Sequence, residues 1–265
     1  METQYHRIID LGYADLAIGL GLILVVSGLS RWEQLKLEGE LIVGAGRTLL
    51  QLLAVGYILK YVFAFNEWYL TMLAILIMVV VASRTVTGRQ RKRTKGLTYL
   101  VGFAMTTGSG ISVFIATQVL LQIKPWYEPH YLIPIAGMVI GNSMNGATLA
   151  VERIDSEIEA RRMEIEAYLA LGATAKQAAS SCIRSAMRAA MIPTINSMMV
   201  VGIVSLPGMM TGQILSGISP LIAVKYQIII MYMIAFSVAA SSFILAKLRF
   251  RRYFTTDHQL REEAF

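Results

Sequence analysis

Five polar side chains interrupt long apolar stretches of this chain: Arg47, Gln51, Asn142, Asn145 and Asn196. An ionisable group at the centre of a bilayer costs about 2.5–3.5 kcal/mol on insertion scales, so such a residue is a functional candidate by default. A guanidinium and several carboxamides could line a route for a polar solute. Polar residues also bond across packed membrane helices, and a long arginine side chain can extend to the bilayer surface. The sequence leaves both interpretations open.

A second group of candidate residues follows the helix breakers Pro207-Gly208, namely Met209, Met210 and Gln213. Unwound backbone at membrane depth persists only where it is buried or lines a cavity, and broken helices are typical of transport sites. We therefore place these residues near the outer end of a pathway. Thioethers suit Cu(I) better than iron, although methionine also packs well in irregular helix contacts. No set of metal ligands is predicted, because the apolar stretches hold no carboxylate cluster and no histidine.

The composition sets the class of protein to which these stretches belong. The chain has 265 residues, of which 55% are hydrophobic and 15% charged, and its mean hydropathy is +0.57. A soluble domain carries about 25% charged residues, so this chain has too little polar surface to cover a soluble core. An all-α, multi-pass membrane protein is predicted, with one transmembrane domain over residues 1–265. The single Cys182 excludes an intrachain disulfide, and no nucleic-acid partner is expected.

Seven apolar segments are predicted to cross the bilayer as helices, since roughly 20 residues suffice for one crossing. They are residues 14–30, 41–63, 67–84, 97–121, 131–151, 187–206 and 221–247. The uncharged stretch 189–224 is too long for one crossing, so we expect one span followed by an irregular re-entry. With a cytoplasmic C-terminus, 19 lysines and arginines lie inside and 3 outside. This asymmetry predicts an outer N-terminus and an inner C-terminus in the inner (plasma) membrane.

One long hydrophilic connection, residues 152–186, joins the fifth and sixth predicted spans. Its first part places Ile154, Ile158 and Ile165 at near-helical spacing, which indicates an amphipathic helix. Gly172 permits a tight turn, and the residues after it favour a second helix. The connection is therefore predicted to be a helix, a sharp turn and a helix on the cytoplasmic side.

The residues around this turn resemble the EAA loop of ABC-transporter permeases. The matching positions are Glu166, Ala167, Leu171, Gly172, Ala173, Thr174 and Gln177. In such permeases the loop supplies a coupling helix that docks into a groove of the ATPase subunit, so the resemblance implies the same role here. The alternative is a cytoplasmic helical hairpin that docks onto nothing.

A wider resemblance covers nearly the whole chain. The segments that carry it are residues 46–63, 131–150, 171–195 and 204–228, which are similar to the FetB-type iron-export ABC permeases and to plant aluminium-tolerance permeases. The resemblance implies a seven-helix permease that forms a homodimer and works with two copies of a separate ATPase. It also implies that iron is the cargo and that the direction is export.

The residues themselves restrict this expectation in two ways. The chain has no GxxxxGK[ST] motif, so ATP–Mg is expected on a partner subunit, and this chain is expected to bind no cofactor and to be no enzyme. Arg47 would suit an anionic cargo, such as a metal chelate or a nucleotide sugar, at least as well as a metal cation. A permease for an anionic organic solute and a non-transporting membrane scaffold therefore stay open as alternatives.

Overall fold

The computed structural model describes residues 12–90, 94, 96–255 and 257–261, and these residues are predominantly helical. The helices are α1 Tyr13–Trp32, α2 Glu38–Phe65, α3 Trp68–Arg89, α4 Leu97–Phe114, α5 Pro129–Ala160, α6 Arg162–Ala170, α7 Ala175–Ala178, α8 Ser180–Val200, α9 Gly208–Leu215 and α10 Pro220–Phe250. A π-helical segment, Ile115–Leu120, extends α4. Among the described residues, extended pairing is limited to isolated bridges. The prediction of an all-α protein is confirmed.

Five of the described helices are long and apolar enough to cross a membrane. They are Ala14–Trp32, Glu38–Phe65, Trp68–Arg89, Leu97–Leu120 and Pro220–Phe250. They correspond to the first four predicted spans and to the seventh. Helix α5 has the length for a crossing, with 32 residues, but the amides of Asn142 and Asn145 make it less apolar. The expectation of seven spans stays a prediction for α5 and α8.

The predicted sixth span, residues 187–206, is wrong at its C-terminal end. Helix α8 stops at Val200, and Val201 adopts extended backbone angles. Gly202 follows with φ +85°, a conformation that glycine adopts far more readily than other residues, and its N–H donates to the carbonyl of Ser205 at 2.9 Å. The chain therefore leaves the helix six residues earlier than the hydropathy pattern predicts.

Helices α1 and α2 form a first compact unit, which comprises the described residues up to Asn66 together with Leu215–Gly217. The backbone N–H of Leu37 donates to Ser30 Oγ at 3.1 Å, and that hydroxyl donates to Glu38 Oε2 at 3.2 Å. These bonds close the short connection between the two helices. Most apolar side chains of the pair are exposed, which fits helices that contact lipid.

The second compact unit, Glu67–Ile214 with Ile218–Phe265, has α5 at its centre. Helix α5 packs against α3, α4, α8 and α10. One buried cluster around Ile158 and Phe250 lies toward the carboxyl end of α10, and another around Val139 and Ile230 lies nearer its amino end. The side chains that α5 buries against these neighbours are mostly apolar or small, whereas Asn142 and Asn145 lie on its exposed face.

Two glycines let α10 approach the centre of this unit. A Cβ atom at Gly108 of α4 would overlap the Ser241 hydroxyl and stand 2.6 Å from the Ser241 backbone nitrogen. A Cβ atom at Gly146 of α5 would stand 2.6 Å from Val238 Cγ1. Small residues are what membrane helices use where their backbones come close. Helix α10 therefore occupies a groove that only glycine leaves open.

Buried hydroxyl groups bond across the same helices. Ser143 Oγ of α5 lies 2.6 Å from Ser237 Oγ of α10, and Ser237 Oγ donates to Ser109 Oγ of α4 at 3.0 Å. Ser112 Oγ donates to the carbonyl of Met233 at 2.8 Å. The hydroxyl groups of these serines have hydrogen-bond partners inside the bundle, so helix packing explains why polar residues are buried there.

Replacing Gly108 by alanine is expected to destabilise the second unit, because the added methyl group forces α4 and α10 apart. Overpacking of this kind costs about 1–3 kcal/mol. Gly110→Ala is the matched control, since it lies on the same helix and its Cβ would meet nothing within 4 Å. The apparent Tm of each purified variant in detergent checks this. Equal Tm values for G108A and G110A would show that the close approach is not needed.

Candidate functional site

The turn after α6 is built from the residues that the sequence singled out. Gly172 has φ +87°, the left-handed conformation that commonly ends a helix. The N–H groups of Gly172 and Ala173 donate to the carbonyls of Leu169 and Tyr168, each at 3.0 Å. The chain thus reverses direction with the last carbonyls of α6 satisfied.

A capping box then starts α7. The backbone N–H of Thr174 donates to Gln177 Oε1 at 2.9 Å, and the Gln177 N–H donates to Thr174 Oγ1 at 3.4 Å. Ala175 and Ala178 are buried, and so is Ile165 of α6, in the cluster that also contains Phe250. The predicted helix, turn and helix are all present, and the turn is held on both sides by buried side chains.

Glu166 and Ala167 lie on exposed positions of α6. The Glu166 carboxylate accepts a 2.8 Å hydrogen bond from Arg162 Nε one turn earlier, and each side chain is about half exposed. A surface pair of this spacing contributes only about 0.3–0.5 kcal/mol. Glu166 therefore does little to hold the fold and stays accessible at the edge of an open groove of about 520 Å³, which Gly172 and His258 also line.

The tip of this hairpin carries exposed apolar side chains. Met163 and Leu171 are each 84% exposed, and Tyr168 is 49% exposed. They stand next to charged residues such as Arg162 and Glu164, outside the five apolar helices. Large apolar side chains that are exposed among charged residues are candidates for an interaction site. We name this surface, made of Met163, Tyr168 and Leu171, the hairpin tip.

A buried ion pair lies beneath the hairpin. Arg249, near the end of α10, is 1% exposed and donates from Nε and Nη2 to the two carboxylate oxygens of Asp155 at 2.8 and 2.7 Å. Its Nη1 donates to Thr94 Oγ1 at 2.6 Å. The ring of Tyr253 lies 5.4 Å from the guanidinium carbon. This bidentate pair ties α5 to α10 at what we call the charged end of the second unit.

A second carboxylate at the charged end ties α5 to α8. Glu157 pairs with Arg153 at 2.6 Å and Arg161 at 2.9 Å, and Ser185 Oγ donates to it at 2.9 Å. Burial alone raises the pKa of the Glu157 carboxyl, but the Ser185 hydroxyl and the two guanidiniums together bring the pKa below its usual value. The carboxylate contributes stability above its unfolded-state pKa, and this contribution is lost as the pH falls through the lowered pKa.

The three predicted asparagines lie on the surface of the second unit. Asn142 and Asn145 are exposed on α5, and Asn196 is exposed on α8. The two helices run antiparallel, because Arg153 bonds to Ser185 and Arg161 bonds to Ser181. Asn142 and Asn196 therefore fall at similar levels of the helix pair. Arg47 and Gln51 are exposed on α2 of the first unit, four residues apart and so on one face.

The residues after Pro207 are helical, whereas irregular backbone was predicted there. Met209, Met210 and Gln213 lie on the short helix α9, whereas the unwound backbone is at residues 201–207. Met210 is buried and Met209 half-buried. Gln213 Oε1 is buried without a hydrogen-bond partner among the described residues. The irregular backbone lies a few residues before the predicted break at Pro207-Gly208, because Gly202 adopts a left-handed conformation with φ +85°.

Comparison with known proteins identifies the family of this chain. The model of UPF0014, described as an uncharacterised protein family, matches residues 13–254. The chain belongs to the UPF0014 family. It is 42% identical over 255 residues to the UPF0014 membrane protein slr1647 of Synechocystis, covering 96% of this chain and 98% of that protein. It is 37% identical over 247 residues to the probable iron export permease protein FetB of Escherichia coli, covering 93% of each.

A plant protein of the same kind is also similar. Protein ALUMINUM SENSITIVE 3 of Arabidopsis thaliana is 35% identical over 254 residues, which cover 96% of this chain and 92% of that protein. No solved structure is significantly similar to the chain. The resemblance to iron-export and aluminium-tolerance permeases is confirmed, and this UPF0014 protein is a multi-pass membrane protein.

Sequence reasoning missed the Asp155–Arg249 pair of this UPF0014 protein. Asp155 shares a helical face with Val151 and Ile158, both of which are buried. A single carboxylate on an apolar face is the signal that could have found it, together with an arginine in the last turn of an apolar span. The partner itself lies 94 residues away, and sequence spacing does not reveal which basic residue it would be.

Replacing Arg249 by methionine is expected to destabilise the UPF0014 protein strongly, because the Asp155 carboxylate stays buried without its counter-charge. Breaking one partner of a buried pair costs about 3–5 kcal/mol, whereas replacing both by apolar groups is often neutral. The double variant Asp155→Leu/Arg249→Met should therefore recover much of the Tm lost in R249M. Arg251→Gln, at an exposed neighbouring position, is the control. A double variant less stable than R249M would contradict the pairing.

Proposed function

We propose that this chain is the membrane-spanning permease subunit of an ABC transporter, in which two copies of the chain work with a separate ATPase. The observation that carries the proposal is the hairpin tip. Leu171 on the turn and Met163 on α6 expose most of their apolar surface, and buried residues hold the turn in place. Such a surface fits a groove on a water-soluble partner.

The position of the tip supports the choice of partner. The charged end contains Arg153, Arg161 and Arg249, and basic residues favour the cytoplasmic side of a membrane. A tip at this end would meet a cytoplasmic protein. The chain has no P-loop of its own, so the ATP–Mg that drives transport would be bound by that partner.

The same proposal has α5 and α8 cross the membrane beside the five apolar helices, which makes seven spans. From Gln227 to Arg249, helix α10 rises about 33 Å at 1.5 Å per residue. The hydrocarbon core of a bilayer is about 30 Å thick, so the charged end and the opposite end would lie at its two faces. The N-terminus would lie outside and the C-terminus in the cytoplasm of a cell with this protein in its inner (plasma) membrane.

The exposed asparagines support a homodimer with a polar route between the copies. Asn142 donates from Nδ2 to the carbonyl of Met138 at 2.8 Å, which leaves its side-chain oxygen without a donor from its own helix. Polar groups that face lipid are costly, because lipid offers them no hydrogen bonds. A second copy or water against α5 and α8 would satisfy Asn142, Asn145 and Asn196. Arg47, Gln51, Met209, Met210 and Gln213 are proposed to contribute to the pathway.

The cargo is proposed to be iron, and the direction export. The support is the 37% identity to a protein named a probable iron export permease. One observation favours a second candidate: the described residues contain no group of three His, Cys, Asp or Glu side chains that could hold a metal ion. Together with Arg47, this favours an anionic organic solute, such as a metal chelate or a nucleotide sugar.

Replacing Leu171 by aspartate is expected to separate the chain from its ATPase, because a charge at the hairpin tip would have to be buried in the docking groove. Affinity-tagged full-length chain is purified from membranes, and P-loop ATPases that remain bound are identified by mass spectrometry. Glu164→Gln is the control, since Glu164 is exposed on the same hairpin. Leu171 is 84% exposed, so its replacement should leave the Tm unchanged. Equal ATPase recovery with L171D and E164Q would refute the coupling role.

Replacing Asn145 by leucine is expected to lower transport several-fold without changing the Tm, because the exposed carboxamide would no longer serve a polar cargo. Proteoliposomes with the chain and its ATPase are tested with Fe²⁺, a ferric chelate and a nucleotide sugar. Tyr99→Phe, at an exposed position of α4, is the control. Stimulation of ATP hydrolysis by Fe²⁺ supports iron, and stimulation by the anions alone supports the second candidate. No stimulation by any of these solutes would favour a membrane scaffold.

A further inference from the structure

A cavity of about 240 Å³ lies at the end of the second unit opposite the charged end. The last turn of α8, the irregular segment after it, helix α9 and the first half of α10 line it, and it is open to the surface beside Tyr232, which is 64% exposed. Three methionines contribute to its wall, namely Met198, Met210 and Met231. The other lining residues are aliphatic, apart from Gly202, Tyr232 and Gln227.

Gln227 lines this cavity and buries a polar atom that the described residues do not satisfy. The residue is 6% exposed, and its Oε1 has no hydrogen-bond partner among the described residues. A buried polar atom without a partner costs about 1–3 kcal/mol. Each such atom in a native structure requires an explanation, and an ion or water that belongs to the site is one.

The methionines do not fill the space that they surround. Met210 and Met231 are 8% and 7% exposed, so their side chains are inside the protein. Methionine side chains are flexible and adapt their shape to irregular gaps. These side chains can therefore move toward one another around a small ligand that enters the cavity.

The donor atoms select the kind of occupant. The lining residues include no Asp, Glu, His, Lys or Arg, so every donor is neutral. Thioethers are soft ligands and favour Cu(I), whereas hard cations require several oxygen ligands and are commonly held by carboxylates. A neutral set also limits the charge that can be stabilised at this depth, which favours a monovalent ion over a divalent one.

We propose that Met198, Met210 and Met231, with Gln227 Oε1, form a binding site for a soft monovalent cation of the Cu(I) class. The site belongs to this chain alone and does not depend on the proposed ATPase partner. Three thioethers and one carboxamide oxygen provide up to four neutral ligands. Fe²⁺ is not the ion that this set selects.

The test uses purified full-length chain in detergent, with Ag⁺ as a redox-inert probe and Cu(I) held by a chromogenic chelator. We expect one ion per chain and copper–sulfur coordination in the X-ray absorption spectrum. Met210→Leu/Met231→Leu should weaken Ag⁺ binding by more than about tenfold, because even loss of an outer-shell group costs 10–100-fold. Gln227→Leu should also weaken it. Fe²⁺ in excess should not displace the ion.

The matched control is Met105→Leu/Met144→Leu. These residues belong to a different buried cluster, around Val101 and Ile140, and do not line the cavity. Methionine-to-leucine changes conserve volume, so both double variants should fold, and their Tm values check this. Unchanged Ag⁺ affinity in M210L/M231L, or an equal loss in the control, would overturn the site. Because no ATPase is present, this outcome would leave the proposed permease function untouched.

Discussion

The position of α10 depends on the space that Gly108 and Gly146 leave for it. Their missing Cβ atoms allow Ser241 and Val238 to lie at distances that no other residue would permit. Once α10 is in this groove, Ser237 reaches Ser109 and Ser143, and Arg249 reaches Asp155. The same helix brings Gln227 and Met231 to the opposite end of the second unit. The close approach of α10 to α4 and α5 thus determines which of its residues lie at the two ends of the second unit.

Local patterns were enough to predict the five apolar helices and the turn at Gly172. Apolar runs gave the five helices that can cross a membrane, and the glycine, the threonine at 174 and the glutamine at 177 each act within a few residues of themselves. The end of α8 was harder, because Val200 and Val201 are equally apolar. Only the backbone at Gly202 separates helix from irregular chain there, and hydropathy does not record backbone angles.

Sequence could not distinguish the polar residues that pack from those that face outward. Ser143 and Asn145 are two positions apart and lie next to similar neighbours. Ser143 is completely buried and bonds to Ser237, whereas Asn145 is exposed. The difference is set by which face of α5 meets α10, and that contact joins segments about 90 residues apart. Pairings over such distances, including Asp155 with Arg249, follow from the tertiary fold alone.

The short helix α7 is separated from α8 by a single residue, Ala179. No flexible linker therefore intervenes between the turn at Gly172 and a helix that is about 32 Å long at 1.5 Å per residue. Helix α8 contains Pro193, which lacks the N–H of a helical hydrogen bond, and its far end is Met198 to Val200, beside the methionine cavity. A single helix with one internal proline therefore joins the turn at Gly172 to the wall of the cavity at the opposite end of the second unit.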